Sequence, residues 1–145
     1  MATAEQNLAT SRRWLLDVFN KHDLDAIPEI IADTYWNYGT TTLKGVEAGR
    51  AVITQADDYA PDRQIEIIEM AAGDNVVFAL LSVTGTHTGA VAGVPPSNRC
   101  FSVYVADFFR FDEQGKMIEG WVIGRGDVKE ALEALQAAEP VAATE

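Results

Sequence analysis

The chain has 145 residues, 48% of them hydrophobic, and carries a formal net charge of −11. This length suits a single domain with its own core, and the composition is too apolar for a disordered protein. The acidic surface disfavours nucleic acid and membranes as partners, because phosphate backbones and anionic lipids repel it. The N-terminus lacks the basic and apolar regions of a signal peptide, and no apolar run reaches membrane-spanning length. We therefore expect a cytoplasmic protein.

Apolar residues recur at helical spacing in three places in the first half of the chain. The first predicted helix covers residues 4–20, and either Asp23 or Asp25 is a suitable N-cap for a second, shorter helix. The third covers about 45–59 and ends before a proline, where a helix is disfavoured. Between the second and third helices, residues 35–38 are typical of a short strand.

The second half of the chain has the pattern of β-strands joined by tight turns. Residues 63–70 and 76–86 flank a Gly-Asp-Asn sequence, which is a strong hairpin signal. Long aromatic and β-branched runs follow at 101–111 and 117–123. Asp127 is then a suitable cap for a terminal helix.

Helices followed by an antiparallel meander predict an α+β domain, in which the N-terminal helices pack over one face of a curved antiparallel sheet. Such an arrangement encloses a central, largely apolar cavity, which suits an apolar small molecule. We assign residues 1–138 to this single domain and 139–145 to a flexible acidic tail.

Residues 85–99, GTHTGAVAGVPPSNR, carry the most specific motif of the chain. The pattern GTHTGxxxGxPPxxR resembles the central hairpin of the SnoaL-like polyketide cyclases, which belong to the nuclear-transport-factor-2-like superfamily. The resemblance extends to residues 19–20, to residues 35–37 and to the GKxxExW segment at 115–121. It implies a cone-shaped α+β fold and a homodimer. Members of the family include cyclases that close a ring of an aromatic polyketide by aldol chemistry, and relatives in the superfamily include steroid isomerases, epoxide hydrolases, dehydratases and non-catalytic binding modules.

The resemblance also assigns family positions to three residues of this chain. The family's acid/base aspartate on the last strand falls on Val122, and a second aspartate falls on Arg125. A family histidine on the strand after the hairpin falls on Asp107. Since valine cannot transfer a proton, the family's mechanism cannot apply to this chain unchanged.

Asp107 is the strongest candidate for a catalytic acid or base. Alternation along its strand places it on one face with apolar residues, Val103, Val105, Phe109 and Phe111. If that face lines the cavity, loss of solvation raises the pKa of the carboxyl into the range useful for proton transfer. The alternative is a structural aspartate near a sheet edge, paired with a lysine or arginine.

Asn37 and Tyr35 are candidates for holding or polarising a ketone oxygen, and alternation places them on the same face of their strand. Asn37 is equally suited to a turn before Gly39, and tyrosines at such spacing are often core residues. His87 is of a residue type that acts as a general base. Its threonine and glycine neighbours nevertheless favour a structural role at the strand end.

The cavity lining is expected to come from the first helix, the hairpin and the last strands: Trp14, Phe19, His87, Val103, Val105, Phe109 and Val122. Gly120 and Gly124 are expected to leave space that widens the cavity beside Val122. The single cysteine, Cys100, cannot form an internal disulfide, and no cysteine or histidine spacing indicates a metal site. We expect no metal and no cofactor.

The sequence leaves three functions open. The leading hypothesis is cofactor-independent cyclisation or isomerisation of a ketone-bearing, polyketide-type metabolite, with Asp107 moving the proton. The second is epoxide hydrolysis; Asp107 and Arg110 supply two of the required residue types, but strand parity puts them on opposite faces. The third is a non-catalytic module that binds an apolar small molecule. An aromatic outer face around Tyr104 and Phe108 gives the homodimer implied by the resemblance a physical basis.

Overall fold

The computed structural model describes residues 2–38, 43–91 and 93–123. Each helix within these ranges is too short or too polar to traverse a bilayer. Gly124, Arg125, the predicted terminal helix and the tail at 139–145 lie outside the described residues. In chain order the elements are α1 (Ala4–Arg12), a π-helical segment (Arg13–Asn20), a 3-10 turn (Leu24–Ala26), α2 (Ile27–Ile30), β1 (Ile31–Tyr38), α3 (Gly45–Tyr59), β2 (Gln64–Ala72), β3 (Val76–Thr86), β4 (Cys100–Phe111) and β5 (Met117–Ile123).

The first predicted helix forms over its expected length but changes geometry partway along. A capping box begins α1: the Thr3 hydroxyl accepts from the Gln6 amide at 3.1 Å, and the Gln6 side chain accepts from the Thr3 amide at 2.8 Å. After α1 the turns widen into the π-helical segment, which buries Trp14, Leu15 and Val18. These side chains form part of the apolar layer that covers one face of the sheet.

The five described strands form one curved, open sheet in the order β1-β5-β4-β3-β2. β2 to β5 make the predicted antiparallel meander, whereas β1 pairs with β5 in parallel. The α+β class is therefore confirmed, with one parallel pair that turn signals do not reveal. β1 also begins at Ile31, well before the predicted strand, because the chain becomes extended directly after α2.

Alternation in β3 and β4 decides which side chains face the helices. Odd-numbered residues such as Val77, Val105 and Phe109 are buried in the core. Even-numbered residues face outward, and Tyr104 remains 66% exposed. This parity places Asp107 on the face that the helices cover, which we call the covered face.

The loop between β3 and β4 closes around His87. His87 and Arg99 continue the β3–β4 ladder, and Asn98 makes a bulge there with a φ of 57°. The Ser97 amide donates to Nδ1 of the imidazole at 3.2 Å, so this ring nitrogen is the acceptor of the bond. Because His87 is fully buried, its ring holds the loop against the end of β3.

Candidate functional site

Asp107 is buried on the covered face of β4. The residue is 8% exposed and lies between two apolar neighbours on that face, Val105 and Phe109. Among the described residues, none forms a hydrogen bond or an ion pair with its carboxyl. The alternative of a structural aspartate paired with a lysine or arginine therefore has no support within this part of the chain.

Burial raises the pKa of Asp107 to about 7, because the charged carboxylate loses its solvation there. At neutral pH both the acid and the carboxylate forms are populated. A group with a pKa close to the working pH is the most efficient kind of general acid or base. Asp107 thus has the protonation behaviour that proton transfer to and from carbon requires.

Tyr35 and Asn37 lie on the same face of β1, as their alternation predicts, and both are buried. The Asn37 amide nitrogen donates to the Tyr35 hydroxyl oxygen at 2.9 Å. Burial raises the pKa of Tyr35 to about 12; the hydrogen bond from Asn37 lowers it, and the charge of Asp107 raises it. The hydroxyl therefore stays protonated at neutral pH and lies within electrostatic range of Asp107.

β5 lies between the two strands that carry these residues. Asn37 of β1 pairs with Gly120 of β5, and Gly120 pairs with Phe109 of β4. Asp107 pairs with Val122, so the carboxyl and the phenol face the same side of the sheet across β5. The structure therefore brings together Asp107, Tyr35 and Asn37, the three residues that the sequence predicts to be catalytic.

Gly120 does not leave open space beside Val122, contrary to expectation. A β-carbon at Gly120 would lie 2.1 Å from the Tyr35 hydroxyl oxygen and 3.0 Å from the ring carbon Cζ. The phenol ring of Tyr35 therefore lies against Gly120 and fills the space that the glycine provides. The Tyr35 side chain thus extends from β1 across β5, and its hydroxyl lies on the side of β4, the strand that bears Asp107.

The predicted cavity residues that belong to the strands, or to the loop after β3, lie in two different places. Four of them share the covered face with Asp107 on β4 and β5: Val103, Val105, Phe109 and Val122. His87 instead lies at the far end of β3 from Ala79, the β3 partner of Asp107, about 25 Å away along an extended strand. The structure does not bring the His87 ring to the catalytic residues, and its contacts with the loop support the structural role.

Trp14 and Phe19 are the helical residues expected in the cavity, and their contacts are with α3 and with the residue before β2, respectively. The Trp14 ring lies 3.6 Å from the β-carbon position of Gly49 in α3. The guanidinium of Arg63 lies 4.6 Å from the centroid of the Phe19 ring. Arg63 cannot be recognised from the sequence, since no local pattern separates it from a solvated arginine at the start of a strand.

The described residues contain no cluster of histidine, cysteine and acidic side chains that could hold a metal ion.

Arg110 faces outward, where its guanidinium lies 3.5 Å from Glu119 and above the ring of Phe108. Asp107 and Arg110 are therefore on opposite faces, as strand parity predicts. This placement gives no support to an acid–arginine pair for epoxide hydrolysis in the described part of the chain.

Known proteins share this architecture. The family model described as SnoaL-like polyketide cyclase matches residues 9–126. Among solved structures, TsrD from Streptomyces laurentii is 20% identical with a TM-score of 0.82, and the match covers 95% of this chain and 100% of that chain. Comparison with curated protein sequences finds no significant match.

Two further solved structures show how the fold recurs. A protein from Jannaschia sp. CCS1, provisionally described as a SnoaL-like polyketide cyclase, is 19% identical with a TM-score of 0.82 over 97% of each chain. AclR from Streptomyces galilaeus, provisionally described as a hydroxylase, is 21% identical with a TM-score of 0.69, over 97% of this chain and 87% of that chain. At such identities the likeness shows a shared fold, and one fold supports different reactions.

Proposed function

Because the chain belongs to the SnoaL-like polyketide cyclase family, we propose that it catalyses cofactor-independent cyclisation or isomerisation of a ketone-bearing, polyketide-type metabolite. One observation carries this proposal. The buried carboxyl of Asp107, without a partner among the described residues, has a pKa of about 7 and shares its face with the protonated phenol of Tyr35. An acid/base group and a hydrogen-bond donor on one apolar face are what enolisation of a ketone requires.

In the proposed reaction, the ketone oxygen accepts a hydrogen bond from the Tyr35 hydroxyl, and the Asp107 carboxylate removes a proton from the neighbouring carbon. The electron pair of the broken C–H bond shifts towards the oxygen, forming an enolate that the Tyr35 donor stabilises. Asn37, by donating to the Tyr35 oxygen, makes the phenol a stronger donor. Asp107 then returns the proton to another carbon, which isomerises the ketone, or to the oxygen formed when the enolate attacks a second carbonyl, which closes a ring.

The replacement of the family's aspartate by Val122, which the resemblance implies, is compatible with this role of Asp107. The family resemblance assigns the acid/base aspartate to position 122, and Val122 is the direct cross-strand partner of Asp107. The β-carbons of directly opposed residues on one face lie about 5 Å apart. A carboxyl at position 107 therefore reaches much of the space that one at position 122 would reach, and we propose that Asp107 performs the proton transfer that valine cannot.

The bicyclic ketone 2-tetralone tests the proton-transfer step without knowledge of the natural substrate. Its α-protons exchange with D2O, and 1H NMR follows the loss of their signal. We expect the wild-type protein to accelerate this exchange near neutral pH, and Asp107→Asn to reduce the acceleration by about 100-fold or more, which is the usual contribution of a general base. Tyr35→Phe should reduce it by about 100-fold, because one donor to the developing oxyanion is lost.

Glu66→Gln is the matched control for this experiment, because Glu66 is an exposed carboxyl on β2 and lies outside the covered face. Its exchange rate should equal that of the wild type. Equal exchange rates for wild type, Asp107→Asn and protein-free buffer would contradict the proposed function.

We also propose that the protein forms a homodimer through the outer face of its sheet, formed by the outward side chains of β3, β4 and β5. On this face Phe78, Leu80 and Tyr104 are 49%, 44% and 66% exposed, and Arg110 and Glu119 form an ion pair beside them. A continuous apolar area on an otherwise acidic surface is typical of an interface. Because the charges on the face neutralise each other, two copies can meet there despite the net charge of −11.

Sedimentation velocity at about 10 µM tests the homodimer, which should appear as the main species. Tyr104→Glu should shift the population to monomer, because equivalent charges of the two copies would be buried together in a two-fold interface. Thr54→Glu adds the same charge at an exposed position of α3 and should leave the dimer intact. A monomeric wild type, or a Tyr104→Glu variant that remains dimeric, would rule out this interface.

A further inference from the structure

We infer that Gly120 is a positioning residue. Because Gly120 has no side chain, the Tyr35 ring can lie against it, and this keeps the Tyr35 hydroxyl where it can donate to a ligand beside Asp107. The inference rests on the function proposed above and extends it to a residue that neither transfers a proton nor donates a hydrogen bond from a side chain. Gly120 acts through Tyr35 alone.

The close approach of Tyr35 to Gly120 leaves no room for any other residue. A β-carbon at position 120 would lie 2.1 Å from the hydroxyl oxygen, 3.0 Å from Cζ and 3.3 Å from Cε2 of the same ring. The distance from such a β-carbon to the oxygen is far shorter than a van der Waals contact, and its distances to the ring carbons are at the lower limit of one. Because Tyr35 is fully buried, its ring cannot move aside into solvent.

The backbone conformation of Gly120 does not require a glycine. The described glycines with a left-handed φ are Gly45, Gly93 and Gly115, and Gly120 is not among them. An alanine could adopt the same backbone angles, and glycine inside a strand weakens it and often marks a close approach. The reason for a glycine within β5 is therefore the space that its missing β-carbon leaves for the phenol.

The hydrogen bond between Asn37 and Tyr35 sets the direction in which the phenol donates. The amide nitrogen of Asn37 can only donate, so the Tyr35 oxygen is the acceptor of this 2.9 Å bond. The proton of the phenol is then directed away from Asn37, and it has no acceptor among the described residues. A ligand oxygen on the covered face would supply that acceptor, provided that Gly120 keeps the phenol in place.

Thermal unfolding tests the steric part of this inference. Gly120→Ala should lower Tm by roughly 3 to 10 °C, because the new methyl group overlaps the phenol oxygen. Adding Tyr35→Phe removes that oxygen and leaves Cζ, at 3.0 Å, as the nearest atom. The double variant should therefore regain about half of the lost Tm or more.

Gly73→Ala is the matched control, because a β-carbon at this turn position would meet only the Val76 side chain. Its effect on Tm should be the same with and without Tyr35→Phe. The comparison separates a local conflict with the Tyr35 hydroxyl from a general cost of replacing a glycine.

The side-chain amide of Asn37 reports the position of the Tyr35 hydroxyl, because it donates to that oxygen. In 1H–15N spectra, Gly120→Ala should shift the Asn37 side-chain resonances, as Tyr35→Phe does, whereas Gly73→Ala should leave them in place. Exchange of 2-tetralone protons should fall about 10-fold or more in Gly120→Ala through kcat, with little change in KM. It should fall no further when Gly120→Ala is added to Tyr35→Phe, because the displaced hydroxyl is already absent.

Unshifted Asn37 resonances in Gly120→Ala, or a double variant no more stable than the single one, would refute the positioning role. A double variant that folds when the single variant does not would support it. The exchange assay decides a separate matter: a wild-type protein without exchange activity contradicts the proposed function, while Tm and the Asn37 resonances still decide the role of Gly120.

Discussion

Replacing Asp107 with asparagine should make the protein more stable at alkaline pH and change its stability little at acidic pH. Burial raises the pKa of this carboxyl from its ordinary value of 3.8 to about 7. The fold prefers the protonated form, so the wild type is destabilised progressively as the pH rises from 3.8 to 7. Each pH unit in this interval costs about 1.4 kcal/mol, or about 4 kcal/mol in all. Asparagine does not ionise and avoids this loss.

Urea unfolding at about pH 5 and about pH 8 measures this difference. The free energy of unfolding of Asp107→Asn minus that of the wild type should be about 3 kcal/mol larger at pH 8 than at pH 5. Comparing one variant at two pH values cancels any fixed effect of burying an amide. Glu66→Gln, at an exposed position of β2, should differ from the wild type by less than about 0.5 kcal/mol.

A stability difference between the wild type and Asp107→Asn that is equal at both pH values would show that the carboxyl keeps its ordinary pKa in the fold. The site would then lack the acid/base group on which the proposed mechanism depends. The expected result, by contrast, identifies Asp107 as a residue that lowers stability at neutral pH. Natural proteins accept such a loss mainly where the group has a function.

Arg63→Met should produce the largest loss of stability among the polar residues of the described chain. The Arg63 side chain is 3% exposed, and Nη1 forms an ion pair with Asp57 at 2.6 Å. Its guanidinium also donates to the backbone oxygens of Phe19, at the end of the π-helical segment, and Ala60, after α3. Arg63 thus joins two helix ends to the start of β2, and methionine, which fills a similar volume, cannot replace these bonds.

We expect Arg63→Met to reduce the free energy of unfolding by about 3 kcal/mol, at the lower end of the range for breaking a buried ion pair. The partner Asp57 is 34% exposed and keeps a contact of 2.6 Å with His22, which limits the cost of leaving it behind. Burial raises the pKa of Asp57, but hydrogen bonds from His22 and Arg63 outweigh burial and hold it below its usual value. Thermal unfolding should show a Tm lower by roughly 6 to 12 °C.

Arg50→Met is the control for this prediction. The side chain of Arg50 is 51% exposed, and within the described residues its ion pair is with Glu47, at 3.6 Å, so its replacement should cost less than about 1 kcal/mol. If Arg63→Met and Arg50→Met had the same Tm, the buried cluster around Arg63 would not stabilise the fold as its geometry indicates.

Local patterns in the sequence were sufficient to predict most of the elements. β3 and β5 occupy the predicted residues 76–86 and 117–123, and α3 occupies the predicted residues 45–59. Turn residues and apolar periodicity act over a few positions, so they can be recognised without knowledge of the fold. The same alternation placed Asp107 on the apolar face of β4, because the parity of a strand is a local property.

The sequence by itself therefore determined the α+β order of elements and the face on which the candidate acid lies, whereas tertiary structure decided how the site is assembled. The parallel pairing of β1 with β5 joins the two halves of the chain and brings Tyr35 and Asn37 to the face that carries Asp107. The same pairing makes Gly120 the contact point for the phenol instead of the open space that its sequence context indicates. The pairing of distant strands and the close approach of side chains depend on the packing of the whole domain, which no local preference encodes.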